Sequence, residues 1–194
     1  MKIINIPDEG RKIVGTDYIS GNSGIDSSTE SIMCIDYEHH EIHSGSHFYL
    51  CGFETIDDAG TAVFSITTPN TTEELHMTFA IQGTSQTELA IYEGAAITGG
   101  TATTALNNNR NSSHTSAATI VKNPTINTAG TLIYSYSSGF AGVTPQATRS
   151  DEISRREREI VLKTNTTYNF IITSRDDGNI VSYCGEWYEH VPKN

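Results

Sequence analysis

The sequence predicts an all-β protein, an antiparallel β-sandwich, and three observations carry that prediction. Short runs rich in Ile, Val, Phe, Tyr and Thr recur from residue 31 onward, separated by clusters of Gly, Asn, Asp, Pro and Ser. Apolar residues alternate within these runs. The pattern is clearest in LHMTFAI (75–81), where Leu75, Met77, Phe79 and Ile81 share one face and His76, Thr78 and Ala80 the other. Helical periodicity is nearly absent, and 194 residues with 36% hydrophobic content suffice for one buried core.

Residues 1–30 read as an extended N-terminal arm or linker, because after KIINI and RKIV the segment GTDYISGNSGIDSSTE is polar and rich in Gly and Ser. Residues 31–194 form the expected sandwich domain. Its strand-like runs are SIMCIDYEHHEIH (31–43), HFYLCGF (47–53), TAVFSITT (61–68), LHMTFAI (75–81) and ELAIYEG (88–94). TLIYSYS (131–137), REIVLKT (158–164), YNFIITS (168–174) and NIVSYCGEWYEH (179–190) complete the set. About nine such runs suit two packed sheets, in a jelly-roll-like arrangement, better than one open sheet. RDDGN (175–179) carries the Asp-Gly chemistry of a tight hairpin, which predicts that the last two runs pair as neighbours. Residues 98–119 are too polar to pack and read as a long surface loop, functional or held by a partner. SDEISRREREIV (150–161) is the lone helical possibility, with Ser150 as its cap.

A formal charge of −11 and the lack of any Lys/Arg run argue against nucleic acid as a partner. No run approaches the roughly 18 apolar residues of a membrane span, and the first residues lack the apolar centre of a secretory signal. Membrane association is not expected. Cys34, Cys51 and Cys184 are scattered without paired spacing beside apolar runs, which reads as reduced core thiols. The sequons at Asn70, Asn111 and Asn165 are chance products of an Asn- and Thr-rich chain.

Four of the seven histidines fall in DYEHHEIHSGSHFYL (36–50). If this stretch is a strand followed by a three-residue SGS turn, His39, Glu41, His43 and His47 share one surface, a possible first shell for a zinc-like ion. The spacing permits a site without specifying one, since no HExxH or comparable pair accompanies it. Solvated or interface histidines are the competing reading. No GxSxG elbow and no phosphate-cradling glycine loop occurs. Adjacent acids such as Asp57-Asp58 and Glu73-Glu74 point to opposite faces of a strand, and a glycosidase pair is left open by spacing alone. No catalytic residue and no cofactor is expected.

Several local patterns taken in order, HHEIHSGSHF (39–48), TTPN (67–70), AIYEG (90–94), NNNRNS (107–112), REIVLKTNTTYNFIITS (158–174) and EWYEH (186–190), resemble the structural proteins that decorate, or cement, the capsids of tailed bacteriophages. The resemblance implies a non-enzymatic β-sandwich, commonly a homotrimer, made in the host cytoplasm and bound across junctions of the major capsid protein on the outer surface of the virion. Arg110 and Asn109 in the long loop, with Trp187 and Tyr188 near the C-terminus, are the interface candidates, because Arg, Trp and Tyr dominate contact hot spots. Ordinary core is the competing reading for Trp187. The alternative function is a carbohydrate-binding or receptor-contacting, head-fibre-like sandwich module. Its need for exposed aromatics is poorly met by a chain with one Trp.

Overall fold

A computed structural model describes residues 37–140, 153–154 and 159–191. The expected arm at 1–30 and Cys34 lie outside these residues, and nearly all of the described chain belongs to the unit Glu41–Asn194. A helix, α1 (Tyr37–Ser44), is followed by β1 (His47–Ile56), β2 (Thr61–Thr67), β3 (Glu74–Gly83) and β4 (Thr87–Glu93). Five short or medium strands come next: β5 (Ala96–Thr98), β6 (Thr101–Thr103), β7 (Leu106–Asn107), β8 (Thr119–Lys122) and β9 (Thr125–Thr128). The chain continues through β10 (Thr131–Ser138), β11 (Ile153–Ser154), β12 (Ile160–Leu162), β13 (Thr167–Ser174) and β14 (Asn179–His190).

The strands form two six-stranded antiparallel sheets and a small ribbon. The first sheet has the order β11-β3-β14-β1-β7, with β12 also on β3. The second has the order β10-β4-β13-β2-β8-β6, and β5 pairs with β9. Successive long strands β1, β2, β3 and β4 alternate between the sheets, as do β12, β13 and β14. Alternation along each strand then turns Phe48, Leu50, Phe79, Ile81, Tyr183 and Trp187 of the first sheet toward Phe64, Ile66, Leu89, Ile91, Phe170 and Ile172 of the second. Aromatic rings join the layers directly. Phe64 lies 4.8 Å from Phe170 on its own sheet and 5.4 Å from Tyr183 on the other, and Phe79 meets Phe170 edge-on at 5.9 Å.

The expected all-β sandwich is the fold found, with four local corrections. The strand expected over 31–43 is helical over the part described, Tyr37–Ser44, with Glu38 in its first turn and His43 in its last. The predicted hairpin at 175–179 is instead a crossing, since β13 and β14 lie in different sheets. Its physical reason is Asn179. The buried amide oxygen accepts from the backbone N–H of Thr84 (2.9 Å) and Ser85 (3.1 Å), and its nitrogen donates to Thr87 Oγ1 (3.0 Å). This ties the β13–β14 turn to the β3–β4 turn, which makes the same crossing. The long loop at 98–119 contains β6 and β7, which add to the edges of the two sheets. Within the expected helix at 150–161, Ile153–Ser154 pairs with β3 and residues from Ile160 onward form β12, while 155–158 lie outside the described residues.

Cys51 and Cys184 also depart from expectation. Both lie on the outer face of the first sheet, not in the core, directly opposite each other in the β1–β14 register at a Cα separation of 4.0 Å, and they form a disulfide. The parity of the strands explains this: Leu50 and Gly185 take the inward positions, so Cys51 and Cys184 must face out. A cross-link over 133 residues restricts the unfolded chain strongly. Reduction, or the substitution Cys51→Ser, is expected to lower the unfolding free energy by up to about 5 kcal/mol in denaturant titrations. An identical midpoint with and without reductant would show that the bond contributes nothing.

Candidate functional site

The candidate site is built where one end of the sandwich meets the last turn of α1, from Glu41, and the loop after β7. The helix stops in a Schellman arrangement, with the Gly45 N–H donating to Ile42 O (3.1 Å) and the Ser46 N–H to Glu41 O (3.1 Å). Gly45 has φ +81°, and a Cβ there would collide with the Ser112 side chain, so the turn requires glycine on two counts. This helical end, where a strand and hairpin were expected, separates the four residues proposed as a first shell. His39 and His43 are exposed on α1, Glu41 is buried and accepts from the Ser46 hydroxyl, and His47 opens β1 with only 2% of its surface exposed. Among the described residues no three His, Cys, Asp or Glu side chains are placed to hold one metal ion.

The structure gathers a different set. Across the outer face of the first sheet the register places His47 opposite Tyr188, Tyr188 opposite His76, and Glu74 opposite His190. The rings follow one another: Tyr188 stacks with His47 at 6.3 Å and with His76 at 4.7 Å, and His190 lies tilted against His76 at 4.6 Å. Glu159, just before β12, secures this row. Its carboxylate accepts from His76 Nδ1 (2.9 Å) and from the Tyr188 hydroxyl (2.7 Å). Burial pushes the Glu159 carboxyl up, but the hydrogen bonds from His76 and Tyr188 outweigh that and hold it below its ordinary value. His76 Nε2 is buried, makes no hydrogen bond and lies 3.9 Å from Glu74 Oε2. At the other end of the row Asn108 Nδ2 donates to His47 Nδ1 (2.7 Å).

The loop itself is fixed by side chains. Asn107 Nδ2 donates to Gly45 O (2.7 Å) and Asn109 Nδ2 to His43 O (3.2 Å). Buried Glu189 at the end of β14 accepts from Ser116 Oγ, from the Ala117 N–H (2.9 Å) and from Trp187 Nε1 (2.9 Å). Between loop and sheet a hollow of about 360 Å³ is lined by Ser46, Glu73, His114, Thr115, Ala117 and Glu189, among others. Of the interface candidates, Arg110 is exposed and Asn109 half-buried, whereas Trp187 is core at 1% exposure and Tyr188 is buried in the histidine row. Both therefore lack the accessible surface the sequence reading asked of them. The row itself was missed because His76, Glu159 and His190 lie far apart in sequence. The available signal was the outward position of His76 in LHMTFAI.

The chain matches no protein-family model, no curated protein and no solved structure.

Two outcomes follow from this geometry. Because the folded Glu159 value is depressed below 4.5, its stabilising contribution is complete above that pH and is lost as pH falls through the lower folded value. Denaturant titrations at about pH 7 and about pH 3 should show a smaller acid loss for Glu159→Gln than for the parent chain. An equal loss would mean that Glu159 is not held by His76 and Tyr188. Elemental analysis of protein purified without an affinity tag should find less than one transition-metal equivalent per chain. A full equivalent, lost when His43 and His47 become Ala, would contradict this.

Proposed function

We propose that this chain is a virion structural protein, a decoration or cement protein that binds the outer surface of a bacteriophage capsid and bridges neighbouring subunits of the major capsid protein. The observation that supports this reading best is the distribution of exposed apolar side chains over a closed sandwich. Phe53 and Ile180 are exposed near each other on β1 and β14, Leu106, Val161 and Val191 elsewhere, and Leu132, Ile133, Tyr136 and Phe140 follow one another along and just beyond β10. A protein that stabilises a shell needs affinity spread over area, because standard interfaces bury about 800 Å² per partner. Exposed apolar groups on a rigid body supply it.

The strand order supports the same reading. β1-β14-β3-β12 faces β2-β13-β4-β10, and we read these eight strands, four to a sheet, as a jelly roll. The two reinforced ends, the Asn179 crossing and the Glu189-anchored loop, suit a body that must transmit load without deforming. Arg110, exposed on that loop, is a fork-shaped donor available to a capsid carboxylate. The assembly unit in this reading is a homotrimer.

Purified protein mixed with undecorated phage shells is expected to sediment with them and to raise the temperature at which they release their contents. Free protein at every ratio would remove the decoration reading, and retention on a glycan array instead would favour the carbohydrate-binding alternative. Sedimentation equilibrium of the free protein should give three times the chain mass, and a monomer at micromolar concentration would remove the trimer while leaving shell binding intact.

A further inference from the structure

The disulfide on the outer face of the first sheet sits in an open and nearly uncharged setting. Outward positions of β1, β14 and β3 form a small grid there. Tyr49, Glu186 and Thr78 make one row, Cys51, Cys184 and Ala80 the next, and Phe53, Ser182 and Gln82 the third. A hollow of about 320 Å³ opens against the sulfurs, because Gly52, Ala80 and Ser182 are too small to fill it. Cys51 is exposed and Cys184 half-buried, so a small molecule can reach the bond with the sheet intact. Disulfides that are exposed in this way are the exchangeable ones, whereas bridges sealed in a core are inert.

The sheet does not need the bond to keep the two sulfurs together. Cys51 and Cys184 stand opposite each other in the middle of the β1–β14 ladder, which runs from His47 and Tyr188 to Ile56 and Asn179, and β3 holds the other side of β14. The inward neighbours Leu50 and Tyr183 pack in the core independently of the sulfurs. A broken bond therefore leaves two thiols side by side, at an effective concentration that favours closing again. Glu186 is the charged residue of the grid, and its Oε1 lies 4.0 Å from Cys184 Sγ.

We propose that Cys51 and Cys184 form a reversible thiol–disulfide exchange site that opens and closes within the folded protein, and that Glu186 makes small cationic thiols better reactants there than anionic ones. In the first step a thiolate bonds to one cysteine sulfur while the Cys51–Cys184 bond breaks, and the other cysteine leaves as a thiolate that takes a proton from water. A second thiolate then bonds to the sulfur of the first reagent molecule and releases the remaining cysteine. Two electrons have passed to the protein, and the reagent ends as its own disulfide. That disulfide drives the same steps in reverse. Negative charge resides on the entering and leaving sulfurs throughout, within reach of the Glu186 carboxylate. A reagent carrying an ammonium group is drawn to this site, and one carrying a carboxylate is repelled. The proposal is independent of shell binding.

The test uses the full chain with Cys34→Ser, so that every thiol counted belongs to the pair. Oxidised protein is incubated with cysteamine in native buffer, thiols are capped with iodoacetamide and counted by mass, and near-ultraviolet circular dichroism reports the packing of the core. Both cysteines are expected to become alkylated much faster than the chain unfolds globally, with the near-ultraviolet spectrum unchanged, and cystamine is expected to restore the bond. Rates for cysteamine and mercaptoacetate, each divided by its rate with the chain unfolded in urea, should differ about fivefold in favour of cysteamine at low salt, the effect of one unit charge at about 4 Å in water. Salt at about 1 M should remove that preference by screening, and so should Glu186→Gln. Exchange within the folded protein is overturned by free thiols that cystamine does not oxidise, by thiols that appear only at the rate of global unfolding, or by loss of the native spectrum on reduction. The role of Glu186 is overturned if the parent shows no preference for cysteamine, or if the preference survives both high salt and Glu186→Gln.

Discussion

The rest of the structure depends on the aromatic contact between the two sheets. Phe64 and Phe170 stack side by side in the second sheet, Tyr183 reaches Phe64 from the first, and Phe79 meets both Phe170 and Tyr134 edge-on. Such pairs contribute about 0.5–1.5 kcal/mol each beyond the burial of their area, and here they also fix the spacing and slide of the layers. Tyr183 lies at the centre of β14, between β1 and β3. Displacing it would disturb ten-residue registers on both sides. The first and last long strands are neighbours, so the fold is dominated by contacts between residues distant in sequence, a topology that folds slowly.

Inward alternation dictates what lies outside. Once Phe48, Leu50, Tyr183 and Trp187 face the core, His47, Cys51, Cys184 and Tyr188 have no choice but the outer face, where β3 adds His76 and Ala80. That face is divided. At one end the histidine row is covered and held by Glu159 and Asn108, and at the other small residues leave an open hollow. The polar end is costly to bury unless its groups are paired, which accounts for the side-chain hydrogen bonds around His47, His76 and Tyr188.

The strands were legible because period-two alternation is a local signal: LHMTFAI and NIVSYCGEWYEH declare their inward faces without reference to any partner. What was not legible is which strands meet. The Asp-Gly turn at 177–178 looks the same whether it closes a hairpin or carries the chain between sheets, and the difference lies in Asn179 bonding to a turn about 95 residues away. The histidine stretch misled for a related reason. Alternation of His39, Glu41 and His43 fits a strand, yet Gly45 closes a helix, and a left-handed glycine three residues after Ile42 serves either end. Cys51 and Cys184 could be paired only after β1 and β14 were set in register. Trp187 and Tyr188 sit side by side in sequence but face opposite ways, one into the core and one into the histidine row.

The proposed role in decorating a shell requires contact over a broad surface that includes the exposed apolar side chains of β10. Hydrogen–deuterium exchange compared between dilute free chain and the assembled, shell-bound protein tests it most directly. Slowed exchange is expected along β10, with the core of β13 and β14 protected in both states. Protection confined to the hollow near Glu73, His114 and Glu189, with β10 unchanged, would contradict it.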